Sequence, residues 1–138
     1  MKKVLVDTTV WIDALNSKKT WQTDMLYQLI ATDAKVVLCP TIVQEILQGI
    51  KDDAGFNAVK SDLSGFEMLH VDSIEAAYGA ATLYRSARKH GVTIRKSNDC
   101  LIAFHCIVAN AALLHNDSDF NKIAQYSTLQ IVSQPVKK

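Results

Sequence analysis

Four of the fourteen acidic residues occupy positions where a protein could use a carboxylate for chemistry. Asp7 ends a short apolar run at the start of the chain, and Asp117 follows a second apolar run in the same manner. Asp99 opens a strongly apolar helical segment, and Glu45 lies early in another helical segment. Because ligands of open α/β sheets bind at the carboxyl ends of the strands, these side chains could meet in one cleft.

Carboxylates that share a cleft favour a divalent cation. Several of them in contact repel one another and cannot all remain ionised unaided. Mg²⁺ resolves the conflict, because it prefers oxygen ligands and keeps several waters. A bound cation also attracts phosphate and can activate a water. Since no Ser–His pairing and no glycine-rich phosphate loop is evident, metal-assisted phosphodiester hydrolysis is the favoured chemistry.

Each of these acids also has a purely structural interpretation. Asp7 and Asp117 could serve only as helix N-caps, each worth about 1 kcal/mol. Asp99 could be a first-turn partner of the helix dipole, and Glu45 a solvated surface acid. The strand–acid–hydroxyl–helix pattern occurs twice, at Asp7 and at Asp117, and this repetition favours a functional role.

The elements that must position these acids alternate along the chain. Apolar runs predict strands at about residues 4–6, 35–39, 66–71, 112–115 and 129–132. Helical spacing predicts helices over 10–15, 21–31, 52–64, 73–90, 98–109 and 118–126, with one more that Thr41 caps in a capping box with Gln44. The helix over 98–109 is apolar on nearly every side, which predicts burial all around it. Alternating strands and helices predict an α/β fold with a parallel sheet covered on both faces.

Composition restricts the class of protein. The 138 residues suffice for one domain, 1–138, and 49% of them are hydrophobic, as in an ordered globular protein. A net charge of +1 excludes global basic character. Three cysteines, Cys39, Cys100 and Cys106, lie among apolar neighbours without a signal peptide, which predicts reduced thiols in the cytoplasm. No apolar run approaches the roughly 18 residues of a membrane span.

Local positive charge precedes Asp99. The cations near the loop over 91–96 are Arg85, Arg88, Lys89, His90, Arg95 and Lys96. They could bind RNA phosphates, or they could be the solvated end of a helix whose dipole favours cations. Trp11, Trp21 and Tyr27 could stack on bases or contact a partner, with core packing as the default.

The sequence resembles the PIN-domain ribonucleases and, within them, the VapC-type toxins of bacterial toxin–antitoxin pairs. Four motifs carry the resemblance, in the family's order and across the whole chain. They are Val6-Asp7-Thr8-Thr9-Val10-Trp11-Ile12, Thr41-Ile42-Val43-Gln44-Glu45, Ser97-Asn98-Asp99-Cys100-Leu101-Ile102-Ala103 and His115-Asn116-Asp117-Ser118-Asp119-Phe120.

The resemblance implies roles for individual residues. Asp7, Glu45, Asp99 and Asp117 would form the acidic quartet that binds Mg²⁺, or Mn²⁺ as its substitute. In support of the quartet, Thr9 would supply a hydroxyl that holds it, and Asp119 would be a frequent but less essential acid. Two departures stand out: His115 replaces the usual Thr or Ser, and Asn98 replaces an apolar residue. Neither removes a carboxylate.

The resemblance further implies a three-layer α/β/α fold with four to five parallel strands. It implies an endoribonuclease toxin that cuts structured RNA, with tRNA the expected target. A cognate VapB-like antitoxin and a homodimer are the expected partners. Two alternatives remain open: a PIN fold that binds RNA or a partner without catalysis, and a receiver-like phosphoacceptor. Receivers carry paired acids after the first strand and a late lysine, whereas Thr8 and Thr9 follow Asp7 here.

Overall fold

A computed structural model describes residues 2–136 as a parallel sheet flanked by helices. The strands are β1 (Val4–Val6), β2 (Val36–Leu38), β3 (Glu67–Met68), β4 (Ala112–Leu114) and β5 (Gln130–Ile131). The helices are α1 (Thr8–Leu15), α2 (Trp21–Ala31), α3 (Pro40–Gln48), α4 (Asp53–Leu63), α5 (Ser73–Lys89), α6 (Ser97–Ala109) and α7 (Ser118–Gln125). The predicted three-layer α/β/α architecture with a central parallel sheet is confirmed.

Strand order places β1 at the centre of the sheet. The order is β3-β2-β1-β4-β5, and every neighbouring pair is parallel. The chain moves outward from β1 through β2 to β3, then crosses back to β4 on the opposite side of β1. This reversal creates a crevice at the carboxyl ends of β1 and β4. The order differs from the 2-1-3-4-5 order of flavodoxin-like folds, which argues against the receiver-like alternative.

The helices form two packed groups. On one side, α1 packs against α2 and α3, and α3 packs against α4. On the other side, α5, α6 and α7 pack against one another. Between them, Leu5, Val37, Leu38, Leu113 and Leu114 of the three central strands are fully buried. Burial on both faces explains why these strands are continuous apolar runs and do not alternate with polar residues.

Two predicted helix starts are wrong. Helix α3 begins at Pro40 with Cys39 at its N-cap, so Thr41 is not the cap and no side chain caps this end. Proline is favoured at the first helical position because its missing N–H would have no partner there anyway. Helix α6 begins at Ser97, one residue before the predicted start at 98, and Lys96 occupies its N-cap position.

Helix α6 is not buried on every side. Its buried face carries Cys100, Ile102, Ala103 and Cys106, whereas Val108 is 55% exposed. The apolar character around this helix therefore exceeds what the core requires, because α5 and α7 cover it only in part. None of the helices among residues 2–136 is long and apolar enough to cross a bilayer.

Candidate metal-binding active site

Asp7 lies at the end of the central strand, where α1 begins. It is the N-cap of α1, and its Oδ2 accepts hydrogen bonds from the backbone N–H of Thr9 at 3.4 Å and from the Thr9 hydroxyl at 2.8 Å. Its side chain is 3% exposed. Burial raises its pKa, against the hydrogen bonds of Thr9 and Thr8, and the charge of Glu45 raises it further. Asp7 is therefore both a helix cap and a buried acid with a raised pKa. Its structural and functional interpretations are compatible.

Thr8 links the second acid to this position. Its hydroxyl donates a hydrogen bond to Oε1 of Glu45 at 2.8 Å. Because Thr8 directly follows Asp7, this contact holds the half-buried Glu45 of α3 beside the end of β1. The two consecutive threonines thus divide the work: Thr9 holds Asp7, and Thr8 holds Glu45. The family resemblance implies such a role for Thr9 alone.

Asp99 is a buried carboxylate without a hydrogen bond on one of its oxygens. It lies in the first turn of α6, is 5% exposed, and its Oδ2 has no partner among the described residues. Burial, together with the charges of Asp7, Asp117 and Asp119, raises its pKa to about 7, and Lys96 opposes this only in part. Four acids from three separate segments therefore lie within electrostatic reach of one another.

Asp117 joins the cluster from the end of β4. The backbone N–H of Asp7 donates to the carbonyl of Leu114 at 2.9 Å, so the ends of β1 and β4 are held together. Asp117 caps α7 by accepting from the N–H of Asp119 at 3.0 Å. It also accepts from Nη2 of Arg95 at 3.3 Å. The strand–acid–helix pattern seen twice in the sequence therefore brings Asp7 and Asp117 to adjacent strand ends.

Asp119 is fully paired and anchors the loop before α6. Its carboxylate accepts from the backbone N–H and the Nε of Arg95, each at 3.1 Å, and from Lys122 at 3.3 Å. Burial alone would raise its pKa, but these three donors lower it overall. Since the side chain is completely buried, Asp119 is a structural anchor for the segment that presents Asp99.

His115, the departure from the family pattern, holds the Asp117 turn. Its Nδ1 accepts a hydrogen bond from the backbone N–H of Asp117 at 3.0 Å, so the proton of the neutral ring is on Nε2. The ring also packs against Phe120, with 5.2 Å between centroids. Burial lowers the pKa of His115, against smaller contributions from Asn121 and Asp117. The histidine therefore acts through the backbone of Asp117.

The oxygen donors present suit a hard divalent cation. A buried carboxylate oxygen without a hydrogen bond, at Asp99, is costly unless a positive partner compensates it. Within residues 2–136, no three His, Cys, Asp or Glu side chains form a ready ligand cage. Mg²⁺ tolerates such an arrangement, because it is usually held by one or two carboxylates and completes its shell with water.

The cationic residues differ in whether their side chains already form ion pairs with acids of the protein. The guanidinium of Arg95 is engaged by Asp117 and Asp119, although its side chain is 67% exposed. Arg85 lies beside Ser97 at the start of α6, and Lys96 is close enough to lower the pKa of Asp99. Arg88 and Lys89 are exposed in the last turn of α5, with the Arg88 guanidinium 5.8 Å from the centre of the Tyr84 ring.

We expect the Asp99→Asn substitution to stabilise the metal-free protein above pH 7 by about 1–3 kcal/mol, since it removes an uncompensated buried charge. The folded-state pKa of Asp99 is about 7, against 3.8 when exposed. The folded protein therefore holds this proton more tightly. The favourable contribution of protonated Asp99 to the free energy of unfolding is complete below pH 3.8, and it is lost as the pH rises through about 7. Urea unfolding with a chelator, from pH 4 to 8, measures the difference between wild type and variant.

The control for this experiment is Asp62→Asn, which removes an exposed acid on α4. It should leave the free energy of unfolding within about 0.5 kcal/mol of wild type at every pH. A wild-type minus Asp99→Asn difference that does not change between pH 4 and 8 would contradict the assignment of a charge-burial cost to Asp99.

Comparison with protein families gives one match that covers most of the chain: the PIN domain model matches residues 4–126. The chain is 34% identical to a VapC ribonuclease of Mycobacterium bovis over 131 residues, which is 94% of this chain and 98% of that protein. It is similar to the same degree, over the same shares of both chains, to the ribonuclease VapC11 of Mycobacterium tuberculosis.

Solved structures with the same fold include a toxin–antitoxin complex from Klebsiella pneumoniae, which has a TM-score of 0.70 at 18% identity and covers 96% of this chain and 98% of its own. VapBC2 of Rickettsia felis, bound to a DNA fragment from its promoter, has a TM-score of 0.74 at 20% identity and covers 94% of this chain and 97% of its own. VapBC-1 of nontypeable Haemophilus influenzae has a TM-score of 0.72 at 19% identity, covering 96% and 98%. At these identities, the structural similarity establishes the fold.

Proposed function

The chain belongs to the PIN-domain family, and on that premise we propose that it is a metal-dependent endoribonuclease toxin of a toxin–antitoxin pair. The observation that supports catalysis most directly is Asp99. Its Oδ2 lacks a hydrogen bond, and the charges of Asp7 and Asp117 are close by, so the buried carboxylate destabilises the folded protein. A bound cation would compensate this cost. Such a cost is typical of a functional site.

The residues would share the work as follows. Asp7, Asp99, Asp117 and Glu45 would hold Mg²⁺, or Mn²⁺ in its place. When bound, the cation would supply charge neutralisation at the phosphate and a more acidic water as nucleophile. Thr8 and Thr9 keep two of the carboxylates oriented, so that little reorganisation accompanies the reaction. Asp119 and Arg95 fix the loop that carries Asp99.

The substrate that we propose is structured RNA, with tRNA as the expected target. Arg85, Arg88, Lys89 and Lys96 would contact phosphates along α5 and the start of α6, next to the acids. The relatives named as ribonucleases support the nucleic-acid class. Because the net charge of the chain is only +1, phosphate binding would depend on these local cations and on a divalent ion.

Arg85→Gln should weaken RNA binding and reduce the slope of log affinity against log salt by roughly 0.7–0.9, the value of one phosphate contact. Arg95→Gln should reduce this slope by less, because its guanidinium is already engaged by Asp117 and Asp119. Fluorescence anisotropy with a labelled RNA hairpin and Ca²⁺, over a series of salt concentrations, compares the two. Equal changes in slope would contradict this difference between the arginines.

As partners, we propose a VapB-like antitoxin and a second copy of this chain. We also propose that the protein is located in the cytoplasm. The structural neighbours include a toxin–antitoxin complex, which supports an antitoxin. Large apolar side chains are exposed on two surfaces, Leu15 and Tyr27 of α1 and α2, and Ile74 and Tyr78 of α5. All three cysteines are free and buried, which suits a reducing compartment.

The experiment that tests the proposed function is incubation of the purified protein with a structured RNA, in Mg²⁺, in Mn²⁺ and in chelator. We expect internal cleavage with either metal and none in chelator. Metal binding without cleavage of any RNA in a total cellular pool would reject the enzyme and favour a PIN fold that binds without catalysis. Cleavage that persists in chelator would reject the role of the metal.

A further inference from the structure

A polar cavity of about 480 Å³ opens directly beside Asp117, and none of the basic residues of α5 lines it. Its walls come from the start of α2, the turn after β4, the first turns of α7 and the segment after β5. The lining residues that matter here are Trp21, Asn116, Asp117, Asn121, Ser133 and Gln134. The function proposed above uses only Asp117 of this set.

The charge of the cavity excludes a phosphate as its own ligand. Among its described lining residues, no lysine or arginine occurs, and Asp117 contributes a negative charge. The other polar side chains that line it are amides, hydroxyls and the imidazole of His115, whose Nδ1 accepts a hydrogen bond from the backbone N–H of Asp117. A second phosphate would meet repulsion there, so the cavity suits a neutral group that offers both hydrogen-bond donors and acceptors.

The size and chemistry of the cavity fit a base with its ribose. A volume of about 480 Å³ lies within the usual range of small-ligand sites, roughly 300–1,000 Å³. Trp21 supplies a half-buried indole, and single-stranded bases stack on such rings. The exposed amides of Asn116 and Gln134 each offer a donor and an acceptor, which the edges of bases require.

The wall of the cavity is connected to the acidic site. Nε2 of Gln22, which is buried, donates to the carbonyl of His115 at 3.4 Å. The ring of His115 in turn accepts from the backbone N–H of Asp117. A group seated in the cavity would therefore contact the same turn that presents Asp117.

We propose that this cavity is a nucleoside subsite, which binds the base and ribose of one nucleotide next to the phosphate that is cut. The inference rests on the proposed ribonuclease function and adds to it a source of sequence preference. The RNA strand crosses the acids, with phosphates on the basic α5 side and one splayed base in the cavity. Such recognition of unstacked bases is the usual route to sequence specificity in RNA.

The test uses ligands that contain no phosphodiester bond, so binding is measured apart from cleavage. Calorimetry in Mg²⁺ compares the four nucleoside 5′-monophosphates with ribose 5-phosphate. Two variants alter the cavity: Gln134→Leu removes an amide, and Ser133→Phe fills space. Matched controls carry the same changes at exposed helix positions, as Gln28→Leu on α2 and Ser61→Phe on α4. Mn²⁺ titration of every variant reports the integrity of the acidic site.

We expect at least one nucleotide to bind tenfold or more tightly than ribose 5-phosphate. Gln134→Leu and Ser133→Phe should each reduce that advantage about tenfold, with Mn²⁺ affinity unchanged, and the controls should match wild type. Equal affinity for ribose 5-phosphate and all four nucleotides, or unaltered nucleotide binding in both cavity variants, would overturn the subsite. If the protein cleaves RNA but shows either of these results, only the subsite proposal is rejected. If it does not cleave RNA, the ribonuclease proposal is rejected independently of the subsite.

Discussion

Replacing Asp7 or Asp99 by asparagine is expected to slow RNA cleavage by about a hundredfold to a thousandfold, the scale of losing one preorganised electrostatic contact at a reacting phosphate. Both side chains are nearly completely buried at the same edge of the sheet, so solvent cannot replace the lost charge. Asparagine keeps the shape of each side chain and separates lost charge from lost packing. Initial rates on one RNA substrate at saturating Mg²⁺ give the comparison.

The matched control is again Asp62→Asn, which should cleave at the wild-type rate. Circular dichroism and thermal unfolding establish that Asp7→Asn and Asp99→Asn are folded, and Asp99→Asn should be the more stable of these two because Asp7 also caps α1. Cleavage that survives both substitutions would show that the acidic cluster is not the active site.

Gly79→Ala is expected to destabilise the protein by about 1–3 kcal/mol, because α5 and α6 approach each other too closely there for a methyl group. A Cβ at Gly79 would lie 2.1 Å from Cε1 and 2.2 Å from Cδ1 of Phe104. Alanine favours the helix by roughly 1 kcal/mol over glycine, so the observed loss is net of that gain. Urea unfolding measures it.

A double-mutant cycle identifies the cause. Phe104→Leu removes the ring that a methyl group at Gly79 would meet, so Gly79→Ala should cost much less in that background, with a coupling of about 1 kcal/mol or more. The control is Gly49→Ala, where a Cβ meets only ordinary contacts, the nearest at 3.6 Å. A stability loss at Gly79 that is identical with and without the Phe104 ring would contradict close packing as the explanation.

The position of the acids could be predicted because their signal is local. Asp7 and Asp117 each follow a buried parallel strand, and parallel strands end at one edge of a sheet, so their approach follows from pattern and topology. Asp99 was marked by an acid at the head of an apolar helix. For these residues, chain order and fold class were enough.

The supporting contacts could not be predicted because their partners are distant in the chain. Thr8 reaches Glu45 and Arg95 reaches Asp119 only after the helices have packed. Arg95 resembles its basic neighbours in the sequence, and the structure alone distinguishes it as the residue already committed to acids. His115 is similar: its hydrogen bond to the backbone of Asp117 depends on the geometry of one turn.

Two predictions about helices are wrong, one about where α3 begins and one about how completely α6 is buried. At α3, the hydroxyl of Thr41 favoured a cap, but Pro40 at the first helical position started the helix earlier. At α6, apolar residues on nearly all sides predicted complete burial, yet the packing of α5 and α7 leaves Val108 in solvent. Composition records which residues can be buried, and tertiary contacts decide which faces are covered.

The central claim is that Asp7, Asp99 and Asp117 share one cation. A crystal of the protein grown with Mn²⁺, with anomalous diffraction collected near the manganese edge, tests it most directly. The account predicts an anomalous peak bonded to oxygens of Asp99 and Asp7, with Asp117 and Glu45 bound directly or through one water. A peak elsewhere in a fully loaded crystal, with Oδ2 of Asp99 still without a partner, would contradict it.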